Sequence, residues 1–363
     1  MRALVVRPPT AGVQMRDVPG PKRPGSALRV RVLEVGVCGT DRDIVAGEYG
    51  TPRRGHHQLI LGHENLGIVE EAGSSSRSPR VGDLVVATVR RGCRSCAYCR
   101  SGRSDFCASG RYTERGIRGA DGYLAEEYVE LPQYVVRVPR ALRPIAVLLE
   151  PLTVVEKAVA MGEYASSRTG MRKVAAQADP PRALVTGTGA VGLLAALLLR
   201  SKGYDVSAVD RHGGGTSAAA VLRAIGARHA NVADGLTGLG ARRFDLIIEA
   251  SGSVPLDLEL PRLIAPNGTL VLTGIPSTRT RYRLVADGTA LRSMVLENEA
   301  VLGSVNANRS HFERGLRSLA AFQRKFPGVV ERLISARIPW ENFSSVFDAA
   351  PGDTGKSVLV VSS

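Results

Sequence analysis

One segment, "PRALVTGTGAVGLLAALLLRSKGYDVSAVD", restricts what this chain can fold into more than any other. It reads as an apolar strand, a turn holding Gly187, Gly189 and Gly192, an apolar helix, and a second strand ending at Asp210. Glycine at those three positions permits a tight turn, close approach of the backbone to a diphosphate, and close packing of helix on strand. Ala190 and Val191 open the helix, whose free amides and dipole face the same anion. A glycine triplet alone is a weak signal, but with strand, helix and strand in order it predicts a dinucleotide-binding unit. Asp210, eighteen residues beyond Gly192, stands where an acid accepts hydrogen bonds from the adenosine ribose, which tips the reading toward NAD. Arg211 and His212 follow at once and suit the 2′-phosphate of NADP instead. Further strands at "FDLIIEASG", "GTLVLTGI" and "AVLGSVN" complete an α/β doubly wound pattern.

Four of the five cysteines form Cys93-x2-Cys96-x2-Cys99-x7-Cys107. Thiolates at that spacing, with glycine and serine between them to permit the turns, can converge tetrahedrally on one ion; a closed four-thiolate set suits structural zinc. Disulfides are the rival reading, and the close spacing argues against them. The fifth, Cys38, ends the strand-like "ALRVRVLEVGVC". His63 and Glu64 follow a glycine in "LILGHENLGIVEEAG", and Glu150 lies in the apolar "VLLEPLTVVEKA". Cysteine, histidine and carboxylate with one position left open describe a catalytic zinc site. The intervals between these residues are long, so the sequence only proposes that they meet.

At 363 residues the chain is long for one hydrophobic core, and two domains are expected. No apolar run approaches the ~20 residues that cross a bilayer, so no membrane partner is expected. The opening "MRALVVRPP" reads as a first strand rather than a secretory signal, and a cytoplasmic protein is expected. The net charge of +14 invites a nucleic-acid partner. The basic residues are nearly all arginine and are scattered along the chain, and aromatics for base stacking make up only 5%, so no nucleic-acid binding is expected.

These residues resemble the medium-chain zinc alcohol dehydrogenases. Cys38-Gly39-Thr40-Asp41, Gly62-His63-Glu64, the four-cysteine segment and the glycine fingerprint occur in the family's order across most of the chain. More narrowly, "RYTERGI", "EPLTVVEKA" and "GSVNANRSHF" look like the glucose 1-dehydrogenase branch known from archaea. The resemblance implies a GroES-like, mainly-β catalytic domain over 1–164 and 306–363, with a structural zinc lobe near 90–110. It implies a Rossmann cofactor domain over 165–305, entered through the polar "YASSRTGMRKVAAQADPP", and an active site between the two. Cys38, His63 and Glu150 match catalytic zinc positions, with Glu64 a further carboxylate at or beside the metal. Thr40 matches a proton-relaying hydroxyl, and Glu114, Glu150 and Asn306 match positions that bind sugar hydroxyls or the nicotinamide region. A homodimer or homotetramer is implied as well.

Two positions depart from the branch, which often has histidine where this chain has Asp121 and Glu297. Glu297 is expected near the nicotinamide and substrate pocket, which would favour an amino-substituted or otherwise different sugar. His56 and His57 read as an exposed loop pair. The expected function is zinc-dependent hydride transfer between NAD or NADP and a hydroxyl or carbonyl of a sugar-like substrate. A reductase or dehydrogenase of a sugar or aminocyclitol carbonyl is the second reading. A non-catalytic protein docking its zinc lobe on nucleic acid is the third, and the joint presence of Cys38, Thr40, His63, Glu64 and the glycine turn argues against it.

Overall fold

The computed structural model describes residues 1–74, 78–169, 179–212, 214–232, 236–240, 242–277, 281–282, 288–348 and 355–362. Two large sheets organise it. The first is seven-stranded and centred on Leu28–Val37, whose alternating first half gives way to a fully buried second half. Glu64–Glu71 lies antiparallel on one side of this strand, with Gly36 opposite Glu64. On the other side lies Lys356–Val360, with Ser357 opposite Val37. Lys356–Val360 pairs in parallel with Ile334–Pro339, so the end of the chain is woven into the sheet that begins it. The register brings Cys38, Glu64 and Lys356 to one end of this sheet.

The second sheet is parallel and six-stranded. Its spatial order is Arg228–Asn231, Asp205–Asp210, Arg182–Thr186, Phe244–Glu249, Ile264–Leu272 and Ala300–Gly303. Strand order therefore reverses between Arg182–Thr186 and Phe244–Glu249, and the crevice outside their carboxyl ends is where such sheets bind ligands. Helix Ala190–Ser201 is buried from Gly192 through Leu199, which explains its lack of a polar face. Helix Leu149–Ser166 starts at the first sheet's site and packs along strand Ile264–Leu272 of the second. The expected polar connection "YASSRTGMRKVAAQADPP" begins inside this helix, and its residues 170–178 lie outside the described residues. No described helix is long and apolar enough to cross a membrane.

Helix Arg309–Lys325 packs against Leu149–Ser166 and opens on a capping box. Asn308 accepts from the Ser310 amide at 2.9 Å, while its own amide donates to Nδ1 of buried His311 at 3.2 Å. Burial first, then repulsion from Arg314, pushes His311 down from 6.5 to about 4. The folded state thus resists a proton that the unfolded chain takes up. His311 contributes stability above about pH 6.5 that is lost as pH falls toward 4, by an amount of order 2–3 kcal/mol. His311→Gln keeps an acceptor for the Asn308 amide. It is expected to flatten the acid side of a stability-against-pH curve in that window; parallel curves for variant and wild type would refute the assignment.

Candidate active site

The first cluster is built where the central strand ends. Cys38 occupies the N-cap of helix Gly39–Val45, and its Sγ lies 3.2 Å from Nε2 of His63. The other ring nitrogen, Nδ1, stands 3.4 Å from Oδ1 of Asp41, whose Oδ2 accepts from the Cys38 amide at 3.0 Å. Glu64 completes a group whose donor atoms all lie within 4.8 Å of one another. A Cβ at Gly36 would stand 2.2 Å from Glu64 Oε2, so this carboxylate needs the glycine opposite it. Oε1 of Glu64 accepts from Lys356 Nζ at 2.6 Å, while buried Oε2 has no hydrogen-bond partner. A buried carboxylate oxygen without a donor, beside a thiol and an imidazole, is the donor set of a zinc-type cation. Asp41 stands behind the imidazole, where a carboxylate can orient a ligating histidine.

The electrostatics agree with that fit. Burial pushes the Cys38 thiol up, with His63 pulling against it. Burial alone would lower His63, but Cys38 and Asp41 hold it well above its ordinary value. Glu150, at the start of helix Leu149–Ser166, is not in the compact group of Cys38, His63 and Glu64. It faces the same charges: burial, offset by His63 and reinforced by Glu64, lifts its carboxyl to about 7. Thr40 lies half-buried in the first turn after Cys38. Sequence reading missed Asp41 as a site residue and Lys356 altogether. An acid directly after Cys-Gly-Thr was a usable signal for the former; nothing local signals the latter.

The second cluster is the cysteine lobe. The donor atoms of Cys93, Cys96, Cys99 and Cys107 lie within 4.8 Å of one another, and all five cysteines are free thiols. Hydrogen bonds from Ser109, Ser95 and the Cys96 amide draw Cys93 down to about 4, whereas burial and its neighbours push Cys99 up to about 12. Four thiols this close cannot all ionise without a cation, so the lobe fits a structural zinc. The lobe is tied to the rest through Asp105, which pairs with Lys157 at 3.1 Å and accepts from Asn308 at 2.9 Å. Lys157 also donates to the Val305 carbonyl at 3.1 Å. Cys96→Ser is expected to remove one zinc per chain and about 2 kcal/mol of stability, roughly 5 °C in Tm. Unchanged zinc content and Tm would argue against a structural ion.

The glycine turn is the floor of the crevice. Gly187 has φ +82°, and a Cβ at Gly192 would stand 1.8 Å from the Gly187 carbonyl, so neither position tolerates a side chain. A Cβ at Gly189, the N-cap of helix Ala190–Ser201, would meet nothing, leaving its backbone open to a ligand beside Ala190 and Val191. Asp210 ends the adjoining strand, with Arg211 and His212 exposed just beyond it. Glu249, fully buried at the end of the neighbouring strand, was not anticipated. Its Oε1 accepts from the Ser251 amide (2.5 Å), the Ser251 hydroxyl (2.6 Å) and the Gly252 amide (2.8 Å). Oε2 accepts from the Gly274 amide at 3.2 Å. One carboxylate therefore ties together the loops leaving two strands at the crevice.

Glu114 and Asn306 come together although 192 residues separate them. Asn306, at φ +58° just beyond strand Ala300–Gly303, donates to Glu114 Oε1 at 2.6 Å. Arg90 adds two bonds to the same oxygen, at 2.9 and 3.1 Å. Glu297 is not brought to this pair: it precedes strand Ala300–Gly303, at the amino end of a parallel sheet whose carboxyl end forms the crevice, and it pairs with Arg243 at 2.5 Å. Asp121 caps a strand, accepting from the Ile60 amide at 3.0 Å, and His56 and His57 are exposed.

A switch-point crevice over a glycine turn, apposed to a mainly-β half with two metal-type clusters, defines a dinucleotide-dependent oxidoreductase architecture. Comparison with known proteins narrows it. Residues 24–140 match the alcohol dehydrogenase GroES-like domain, and residues 143–361 match the glucose dehydrogenase C-terminus. The chain is 41% identical to the glucose 1-dehydrogenase of Methanocella arvoryzae over 94% of both chains, and 40% identical to that of Metallosphaera sedula over 97% of both. It superposes on the glucose dehydrogenase of Haloferax mediterranei in complex with NADP, Zn and gluconolactone, with TM-score 0.88, 30% identity and full coverage of both chains. The chain belongs to the glucose dehydrogenase family of zinc-dependent medium-chain alcohol dehydrogenases.

Proposed function

We propose that this protein is a zinc-dependent sugar dehydrogenase, transferring hydride between a nicotinamide dinucleotide and the hydroxyl or carbonyl of glucose or a close aldose. One observation carries the choice of a polyhydroxylated substrate. The three bonds from Asn306 and Arg90 all fall on Oε1 of Glu114, leaving Oε2 for a substrate hydroxyl where the two halves of the chain meet. The Haloferax relative's complex with NADP, Zn and gluconolactone supports the same substrate class. The proposed division is a catalytic domain of 1–164 and 306–363 around a cofactor domain of 165–305.

Cys38, His63 and Glu64, with Glu150 facing them, would hold the catalytic zinc. When bound, zinc would supply a Lewis acid toward a substrate hydroxyl and the nicotinamide a hydride acceptor. Asp41 fixes the His63 ring, and Lys356 balances the charge of Glu64. Thr40 supplies the hydroxyl that passes the substrate proton toward solvent. Glu114 and Asn306 orient the sugar.

The test is nicotinamide absorbance with zinc-loaded protein, NAD or NADP, and a panel of aldoses, polyols and aminocyclitols. Turnover of glucose or a close epimer supports the reading; turnover confined to an aminocyclitol or an unrelated alcohol rejects it. The aminocyclitol alternative drew on Asp121 and Glu297, and both carboxylates are engaged, by the Ile60 amide and by Arg243.

We further place the protein in a homodimer joined at the outer edge of the parallel sheet. Ala300–Gly303 is the terminal strand of that sheet, and Leu291, Val295 and Val301 are exposed on or beside it. Light scattering should give a dimer or a multiple of it, and L291E/V295E should give monomers; a monomeric wild type would reject the assignment.

A further inference from the structure

We infer that His229 sets cofactor preference by tying down Asp210, so that the crevice admits the 2′-phosphate of NADP. The inference rests on the reading of this crevice as a dinucleotide site. An acid at the end of the second strand selects NAD in two ways: it offers free lone pairs to the ribose hydroxyls, and it repels a phosphate. Asp210 is in the right place to do both, yet its carboxylate is already engaged. Oδ1 accepts from the His212 amide at 2.7 Å and from His229 Nε2 at 3.2 Å, and Oδ2 accepts from the Thr188 hydroxyl. An ionised carboxylate can only accept, so the proton of this bond sits on His229. The two side chains are 5% and 7% exposed, where solvent screens little and the N–H dipole counts in full.

His229 comes from the neighbouring strand Arg228–Asn231, in register opposite Ala208. The same ring lines an open cavity of about 410 Å³ with Arg223, Arg228 and Arg242, together with Gly214 from the loop after Asp210. No acid is among the residues lining it. Arg211 and His212 are exposed at the turn that leads there. The acid that would exclude a phosphate is thus bound by three donors, one of which, His229, also lines a cavity with Arg223, Arg242 and an Arg228 that is paired with Asp205. Asp210 acts as a scaffold for the turn, and His229 is the positioning residue that keeps it so.

Binding of NADPH and NADH to the full-length, zinc-loaded protein, followed by nucleotide fluorescence, tests this without any substrate. The wild type is expected to bind NADPH at least as tightly as NADH. His229→Ala frees Asp210 and should weaken NADPH roughly tenfold or more while NADH changes less than about threefold. His229→Gln, which retains a donor, should stay close to wild type, and D210N added to H229A should restore NADPH binding. A wild type that favours NADH tenfold, equal changes for both nucleotides, or no change in H229A would overturn the inference. Binding of neither nucleotide to the wild type would overturn the dinucleotide reading itself and this inference with it.

Discussion

Cys38→Ser is expected to lower kcat by about a thousandfold, remove one of two zinc ions per chain, and leave the fold intact. Serine is a favoured N-cap residue, and Cys38 occupies the N-cap of helix Gly39–Val45, so the local backbone keeps its helix start. What is lost is the thiolate. A hydroxyl at this place stays neutral beside His63 and supplies neither the charge nor the soft donor that zinc prefers. In the metal-free site burial holds the Cys38 thiol up, so ion binding must expel its proton and zinc affinity should rise with pH. Metal analysis, melting and turnover belong in one experiment. Full turnover in a variant shown to keep both ions would remove Cys38 from the ligand set.

Much of this site was legible because its parts are local. The glycine turn, the cysteine quartet, and the pair His63 and Glu64 each fall within one short segment, and the spacing alone carries their chemistry. Contacts set by register were not legible. Lys356 meets Glu64 across 292 residues because the last strand inserts beside the first long one. His229 meets Asp210 through the pairing of two parallel strands, which no motif records. The position of Glu297 was not legible for a related reason. Similarity in position says nothing of strand polarity, and a residue before a parallel strand lies at the far end from the crevice. Glu249 reads in sequence as the end of an apolar strand, and its hold on Ser251, Gly252 and Gly274 emerges only when the loops fold over it.

The pair Lys356–Glu64 should therefore carry a large share of local stability. Both residues are nearly inaccessible, at 3% and 2% exposure, and Lys356 Nζ also donates to the Val37 carbonyl at 3.3 Å. Glu64 and Cys38 hold the ammonium above its ordinary pKa against the opposing effect of burial. Lys356→Met keeps the apolar stem and removes only the charge. It leaves Glu64 as an uncompensated buried anion, whose expected cost is about 3–5 kcal/mol in zinc-free protein. A zinc ion on the same carboxylate would offset part of that, so chelation should destabilise the variant more than the wild type. Glu64→Gln in the same chain removes the anion, and the double variant should regain part of the loss, with a coupling of about 1–3 kcal/mol in a denaturation cycle. Additive losses, or equal sensitivity of variant and wild type to chelator, would show that Lys356 holds the strand by packing and does not balance the charge at the metal site.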